Sequence, residues 1–272
     1  SQRWIDLYFI NLQPSELMKI AIIACLAKYY HRVQLREVNT FKHIFFSLII
    51  LILPILLVIS QPDLGTSILI GLSGLVVMWL SGLNIKYFIY SFLTLLISMP
   101  FAISLLKPYQ KLRILTFLNP DRDPLGAGYQ IIQSKIAVGS GGFTGKGFLK
   151  GTQNYLEFLP EKHTDFIFTL FAEEYGFLGS LGLLLIYIII IYRIIKIGSI
   201  SRSYFAKIFC YGFASSKPFF YISVNMSMVL GLLPIVGSPL PIMSYGGSSM
   251  LATMIGFAIV MSAKINHKQL IA

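Results

Sequence analysis

Charged side chains are scarce in this chain of 272 residues. They make up 12% of the sequence, against about 25% in an ordinary soluble domain, whereas hydrophobic residues make up 56%. The mean hydropathy is +0.74. This balance excludes an ordinary soluble domain and indicates an integral membrane protein.

Stretches in which polar and apolar residues alternate, as in transmembrane β-barrels, are also lacking. The apolar runs are unbroken and roughly 17–25 residues long, the length that a helix needs to cross about 30 Å of hydrocarbon. The predicted fold class is therefore an all-α membrane protein, a polytopic helical bundle with about seven transmembrane helices.

The cysteine and histidine patterns do not indicate a disulfide framework or a metal site. The two cysteines, Cys25 and Cys210, lie far apart in apolar surroundings, which favours small buried hydrophobes over a disulfide framework. HExxH and paired CxxC motifs are missing, so a dedicated zinc site is not expected. A Walker A loop is missing too, and nucleotide binding has no support.

Acidic residues are half as numerous as basic ones, 11 against 22, and the net charge is +11. In a soluble protein this excess would suggest nucleic acid. Here the cations lie between the hydrophobic runs, which favours loops at anionic membrane surfaces. We therefore expect membrane lipids as partners, and no nucleic acid.

The positive-inside rule predicts the orientation. It places the short basic loops 28–43, 81–87 and 193–207 and the C-terminal tail in the cytoplasm. The long interval 107–165 is then extracytoplasmic, within a single transmembrane domain that covers residues 1–272. The predicted crossings are 14–30, 44–60, 67–80, 87–106, 166–192, a run that ends at 233, and 250–263.

Insertion of a charged residue at membrane depth costs about 2.5–3.5 kcal/mol, so each such residue is expected to have a structural or functional role. Glu16 and Lys19, three positions apart on one helix face, form a structural pair or line a polar cavity; the pattern leaves both open. Asp63 precedes a helix and is placed to cap it.

The polar stretch 139–165 ends in a carboxylate, Asp165, at the start of an apolar helix. With Thr164 as N-cap, Asp165 is expected in the first helical turn, where the helix dipole favours an anion and apolar neighbours desolvate it. Such a group suits proton abstraction, although a helix-start aspartate without chemical function fits the same position. Lys146, in a glycine-rich loop, is suited to a pyrophosphate.

Several motifs, in collinear order over essentially the whole chain, resemble the SEDS family (shape, elongation, division and sporulation), most of all its RodA members. They are RWIDL, QPSELMK (13–19), QPDLGTS (61–67), PLGAGYQIIQSKIAVGSGG (124–142), GKGFLKGTQNYLEFLPEKHTDFIF (145–168), AEEYGFLG (172–179) and MSYGGSS (243–249). The resemblance implies a ten-helix peptidoglycan glycosyltransferase of the bacterial cytoplasmic (inner) membrane. It would polymerise lipid II on the extracytoplasmic side, with a class B penicillin-binding protein as partner.

The resemblance also implies roles for single residues. Asp165 matches the family's essential aspartate and is expected to be catalytic. Glu16 and Lys19 match residues that line the central cavity, and Asp63 and Arg3 match further motif positions, so all four are expected to bind substrate.

Two departures from the family pattern stand out. The family has three helices before the RW motif that this chain lacks, so we expect either a fragment or helices supplied from elsewhere. Lys217 falls where relatives have an apolar helix. If the sixth helix starts at Pro218, with Ser216 near its cap, Lys217 lies at the cytoplasmic surface.

The implied reaction is an inverting glycosyl transfer with Asp165 as general base. Lys19, Lys146 and Arg113, in that order, are candidates to stabilise the pyrophosphate leaving group. No tightly bound cofactor is expected, although a loosely held Mg²⁺ or Mn²⁺ beside Glu16 or Asp165 is compatible with the chemistry. Two alternatives are a flippase for lipid-linked precursors and an inactive truncated scaffold of a cell-wall synthase complex.

Overall fold

A computed structural model describes residues 4–6, 11–61, 63–105, 108–120, 126–151 and 163–269. Helices dominate this part of the chain, as the apolar runs predict. They are α1 (Pro14–His31), α2 (Phe41–Ser60), α3 (Leu64–Leu80), α4 (Ile85–Leu105), α5 (Pro108–Leu118), α6 (Ala127–Ser140), α7 (Ile167–Ile200), α8 (Tyr204–Ala214), a π-helical turn (Ser215–Phe220), α9 (Tyr221–Val229) and α10 (Gly247–Ile265).

Three of the described helices, α2, α7 and α10, are long and apolar enough to cross a membrane. Large aliphatic side chains on α2 and α4 are exposed, such as Leu53 at 57% and Ile97 at 81%. Water would penalise such faces, whereas lipid tails solvate them. The prediction of an all-α polytopic membrane protein is confirmed.

The segment before α1 contains two antiparallel strands, β1 (Ile5–Asp6) and β2 (Asn11–Leu12). The Ser248 hydroxyl on α10 donates to the Asn11 carbonyl at 2.8 Å and accepts from the backbone N–H of Gln13 at 3.0 Å. These two bonds fix β2 to the start of α10.

The long interval 107–165 is partly helical, because it contains α5 and α6. Neither helix is long enough to span a bilayer. The lack of long apolar runs predicted a loop here, and amphipathic helices within it went unrecognised.

The chain divides into two compact units. The first contains Ser1–Leu83, Ile186–Ile222 and Pro241–Ala272, and the second contains Asn84–Leu185 and Ser223–Leu240. In the first unit, α1 packs against α2, α3, α8 and α10; in the second, α5 packs against α6. The single transmembrane domain stays a prediction.

Helix α8, the π-helical turn and α9 follow one another without interruption from residue 204 to 229. Pro218 lies inside the π-helical turn. Proline lacks an N–H and clashes with the preceding turn of an α-helix, and the wider π-helical turn accommodates it. The predicted helix start at Pro218 is therefore wrong.

Candidate functional site

A buried ionic cluster in the first unit is centred on Glu16. One carboxylate oxygen, Oε1, accepts a hydrogen bond from Lys19, and the other, Oε2, accepts one from Lys217 at 2.7 Å. The three residues are 3%, 1% and 0% exposed. Burial of a charge in hydrocarbon is costly, and a carboxylate that bridges two ammonium groups offsets that cost for all three.

The expectation that Lys217 lies at the cytoplasmic surface is wrong, because its side chain is fully buried in this cluster. The continuous helical path through Pro218 carries Lys217 inward. Its Nζ also contacts the Ser249 hydroxyl at 3.2 Å, and the Tyr221 ring lies 4.7 Å from it and 4.4 Å from the Nζ of Lys19. The aromatic face adds a cation–π attraction for both ammonium groups.

Asp63 supplies a second carboxylate near the cluster and attracts Lys19 electrostatically. Two lysines and two carboxylates thus balance in charge. The Oδ1 atom of Asp63 also accepts from the backbone N–H of Thr66 at 3.1 Å, so the predicted cap of α3 is confirmed. Its role in substrate binding stays a prediction.

A divalent cation does not fit Glu16 as it stands, because both carboxylate oxygens already accept from ammonium groups. A metal ion there would lie against two positive charges. No group of three or more His, Cys, Asp or Glu side chains suited to a metal occurs in the described ranges. The Mg²⁺ or Mn²⁺ expectation at Asp165 stays a prediction.

Asp165 lies in the second unit, in the turn of residues 163–166 that precedes α7. The expectation that it lies in the first turn of α7 is wrong by two residues, since α7 begins at Ile167. Its side chain is half-buried, and the next residue, Phe166, is 1% exposed. A half-buried carboxylate beside a buried aromatic is partly desolvated yet accessible, as a general base requires.

Asn225 fixes the backbone of Asp165. The Nδ2 atom of Asn225 donates to the Asp165 carbonyl at 2.8 Å and to the Ser238 carbonyl at 2.7 Å. Two acceptor partners settle the orientation of this fully buried amide. It thereby joins the turn of the proposed base to the loop that contains Gly237, where a Cβ would lie 3.5 Å from Asp165 Oδ2.

A second set of hydrogen bonds holds together the helices near Asp165. The Ser134 hydroxyl on α6 donates to the Val229 carbonyl at 2.8 Å and lies 3.0 Å from the Thr169 hydroxyl. Helices α6, α7 and α9 are therefore tied together within a few residues of Asp165. The sequence did not predict Asn225 or Ser134 as part of this site. An amide within an apolar helix was an available signal for Asn225, whereas Ser134 lies between Gln133 and Lys135 and offered none.

The glycine-rich loop packs against a break in α7. Gly176 has φ 64°, ψ −160°, which interrupts the helical hydrogen bonds. The loop replaces them: the backbone N–H groups of Lys146 and Gly147 donate to the carbonyls of Glu173 and Glu174 at 3.1 and 2.9 Å. On the far side of the break, Phe177 N–H and Leu178 N–H donate to Gly142 and Phe143 carbonyls at 3.0 and 3.1 Å. The loop thus supplies hydrogen-bond partners for the backbone groups that the break in α7 would otherwise leave unpaired.

Lys146 forms an ion pair with Glu173, with Nζ 2.7 Å from Oε1, and Glu173 is fully buried. This pair explains how an acidic residue is tolerated within a membrane-spanning helix. A direct role of Lys146 in pyrophosphate binding stays a prediction. Arg3 and the Arg113 side chain lie outside the described residues, so their predicted roles stay predictions as well.

The predicted site residues fall into two groups. Glu16, Lys19 and Asp63 come together in the first unit, and the sequence did not predict Lys217 as their companion. Asp165 and Lys146 belong to the second unit.

Comparisons with known proteins agree with the motifs. A sequence model of the FtsW/RodA/SpoVE family, described as cell cycle proteins, matches residues 1–269. The peptidoglycan glycosyltransferase MrdB of Escherichia coli is 46% identical over 271 residues, which are 99% of this chain and 72% of that protein. MrdB of Helicobacter pylori is 39% identical over 268 residues, 96% of this chain and 68% of that protein.

Solved structures are similar too. One, titled as the structural coordination of polymerization and crosslinking by a peptidoglycan synthase complex, contains a chain with TM-score 0.81 and 32% identity; the match covers 98% of this chain and 74% of that one. The rod shape determining protein RodA of Thermus thermophilus, solved as a mutant, has TM-score 0.67, 24% identity and coverage of 98% and 70%, and supports the fold. The chain belongs to the FtsW/RodA/SpoVE family.

Proposed function

We propose that this chain is a peptidoglycan glycosyltransferase that polymerises lipid II into glycan strands during elongation and rod-shape maintenance. The observation that carries the proposal is its 46% identity, over 99% of its length, to a protein named peptidoglycan glycosyltransferase. The environment of Asp165 supports a catalytic role, because the carboxylate is half-buried and its backbone is held by Asn225.

In the proposed reaction, the Asp165 carboxylate takes the proton of the 4-hydroxyl of the acceptor's N-acetylglucosamine. The freed oxygen attacks C1 of the donor's N-acetylmuramic acid with inversion, while the bond from C1 to the pyrophosphate oxygen breaks. The leaving undecaprenyl pyrophosphate takes the bonding electrons, so a strong general acid is not needed.

Basic residues would stabilise the leaving group. Lys19, Lys146 and Arg113 are the candidates, in that order. The ammonium groups of Lys19 and Lys146 each form an ion pair with a glutamate, which reduces the positive charge that they offer a pyrophosphate.

The proposal includes the setting of the reaction. The protein would lie in the bacterial cytoplasmic membrane, with Asp165 at the extracytoplasmic side, as the distribution of basic loops favours. A class B penicillin-binding protein would cross-link the strands. The synthase complex that contains a similar chain supports this partner.

A polymerisation assay tests the proposal. Purified protein, with and without a partner transpeptidase, is given lipid II, and the strands are separated by size. Asp165→Asn should lower the rate by at least about a hundredfold, the usual contribution of a general base. Glu37→Gln, a carboxylate change in the exposed loop before α2, serves as the matched control and should keep full activity. Unchanged polymer formation by Asp165→Asn would contradict the catalytic role.

The same preparation separates the alternatives. Reconstituted in liposomes with a fluorescent lipid II analogue, a flippase would move the lipid between leaflets without forming polymer. An inactive scaffold would do neither, and would still bind the transpeptidase.

A further inference from the structure

A cavity of about 550 Å³ opens in the first unit where the C-terminal parts of α7 and α10 meet. Its lining combines basic groups with aliphatic and aromatic ones. From α7 come Arg193, Lys196, Ile197 and Ile200, and from the end of α10 and the turn after it come Lys264 and His267. The α7 residues recur at intervals of three and four, so they occupy one helix face.

The side chains that line the cavity carry a net positive charge. The segments 186–222 and 241–272, which supply every residue that lines the cavity, contain no aspartate or glutamate. Arg193, Lys196 and Lys264 form no ion pair among the residues that the structure describes. Two helix C-termini contribute about half a negative charge each, whereas the side chains contribute three full positive charges, so the positive charge prevails.

The walls of the cavity are fixed. The backbone N–H of Arg202, just beyond α7, donates to the carbonyl of His267 at 3.0 Å, and His267 Nδ1 lies 2.9 Å from the Lys264 carbonyl. These bonds hold the two helix ends against each other. The pocket is therefore a built feature of the fold and does not depend on a mobile loop.

The surroundings determine what kind of anion fits. Both helices are apolar enough to cross a membrane. Just before the cavity, α7 exposes Ile188 and Ile189 at 56% and 57%, and Tyr192 at the rim is 61% exposed. A tyrosine at this level is typical of the headgroup region. A ligand with a phosphate head and hydrocarbon tails would thus find cations for the head and an aliphatic face for the tails.

We propose that the cavity is a binding site for an anionic phospholipid, with the headgroup phosphate held by Arg193, Lys196 and Lys264. Guanidinium and ammonium donors form charge-assisted hydrogen bonds to phosphate oxygens. Basic pockets between transmembrane helices on the cytoplasmic side bind such lipids in general. None of the residues that line the cavity takes part in the reaction proposed for Asp165, so neither proposal depends on the other.

Native mass spectrometry of the protein from nanodiscs tests the site, with phosphatidylglycerol or cardiolipin competing against phosphatidylcholine. The wild type should retain the anionic lipids. Replacement of Arg193, Lys196 and Lys264 by glutamine should weaken retention by about fivefold for each side chain, and about a hundredfold for all three. The variant Lys196→Arg, which keeps the charge, should bind like the wild type.

A second triple variant controls for net charge. Lys42, Lys86 and Lys150 are exposed and lie outside the segments that line the cavity, so their replacement by glutamine removes the same charge elsewhere. This control should retain anionic lipid, and thermal melting in lipid-free detergent should show both triple variants folded. Equal losses in the two variants, or no loss in the first, would overturn the proposal. Displacement of the lipid by millimolar inorganic phosphate would overturn the lipid identity.

Discussion

The Nζ atom of Lys217 lies 2.7 Å from Oε2 of Glu16, although the two residues are 201 positions apart in the chain. The pair links α1 to the π-helical turn, and Lys19 completes it on the other carboxylate oxygen. The site of the predicted Glu16–Lys19 pair is therefore a cluster in which the Glu16 carboxylate bridges two lysines, and Asp63 supplies the second negative charge.

The first prediction ranks the stabilities of variants in which residues of this cluster are replaced. Glu16→Gln leaves two buried lysines facing a neutral group and should lower the free energy of unfolding by about 3–5 kcal/mol. Lys217→Met should cost less, because Glu16 keeps Lys19. The double variant should be more stable than Glu16→Gln alone, since it removes the excess buried lysine. Thermal melting of the four proteins in detergent measures the coupling, and strictly additive changes would show that the pair is not coupled.

The second prediction concerns Asn225 as a positioning residue for Asp165, and it rests on the catalytic role proposed above. Asn225→Ala should lower kcat for lipid II polymerisation by about ten- to a hundredfold with little change in KM, because a base displaced by about 1 Å loses much of its effect. Asn225→Asp keeps the shape but aims oxygen atoms at two carbonyls, so it should be worse than alanine. Asn39→Ala, at an exposed amide, is the control.

The outcomes separate this prediction from the proposed function. If Asp165→Asn abolishes polymerisation while both Asn225 variants keep the wild-type kcat, only the positioning role fails. An aspartate that restores activity relative to alanine would indicate that Asn225 fills space and does not hold the backbone.

The sequence predicted some features of this structure well and others poorly. The bounds of α1 to α4 and of α10 followed closely from apolar runs, and the cap by Asp63 followed from its place before α3. Helix α7 instead continues to Ile200, past the predicted end at residue 192, and α8 begins at Tyr204, within the predicted loop 193–207. Lys217 was misplaced because proline usually starts or breaks a helix, whereas here a wide turn absorbs Pro218 and the chain continues. The hydrogen bond from Asn225 to the Asp165 carbonyl was not predictable, since it joins residues 60 positions apart through tertiary packing.

The third prediction concerns the glycines at the break in α7. A Cβ on Gly145 would collide with the Glu174 carbonyl, and one on Gly176 would collide with the backbone N of Gly145; both glycines have positive φ, 81° and 64°. Alanine at either position should lower the melting temperature markedly. Gly139→Ala is the matched control, because its Cβ would meet nothing within 4 Å and alanine favours the helix. A Gly145→Ala variant as stable as the Gly139→Ala variant would contradict the close packing.

The last prediction decides what Lys146 does. If its task is to neutralise buried Glu173, Lys146→Gln removes the ion pair of a buried carboxylate and should destabilise the fold by about 3–5 kcal/mol. Glu173→Gln combined with Lys146→Gln should regain most of that stability, because the buried negative charge is removed together with its cation. We expect the KM for lipid II in the double variant to stay within about twofold of the wild type, since the ammonium group is engaged by Glu173. A KM that stays raised in the double variant, although its melting temperature recovers, would show instead that Lys146 contacts the pyrophosphate directly.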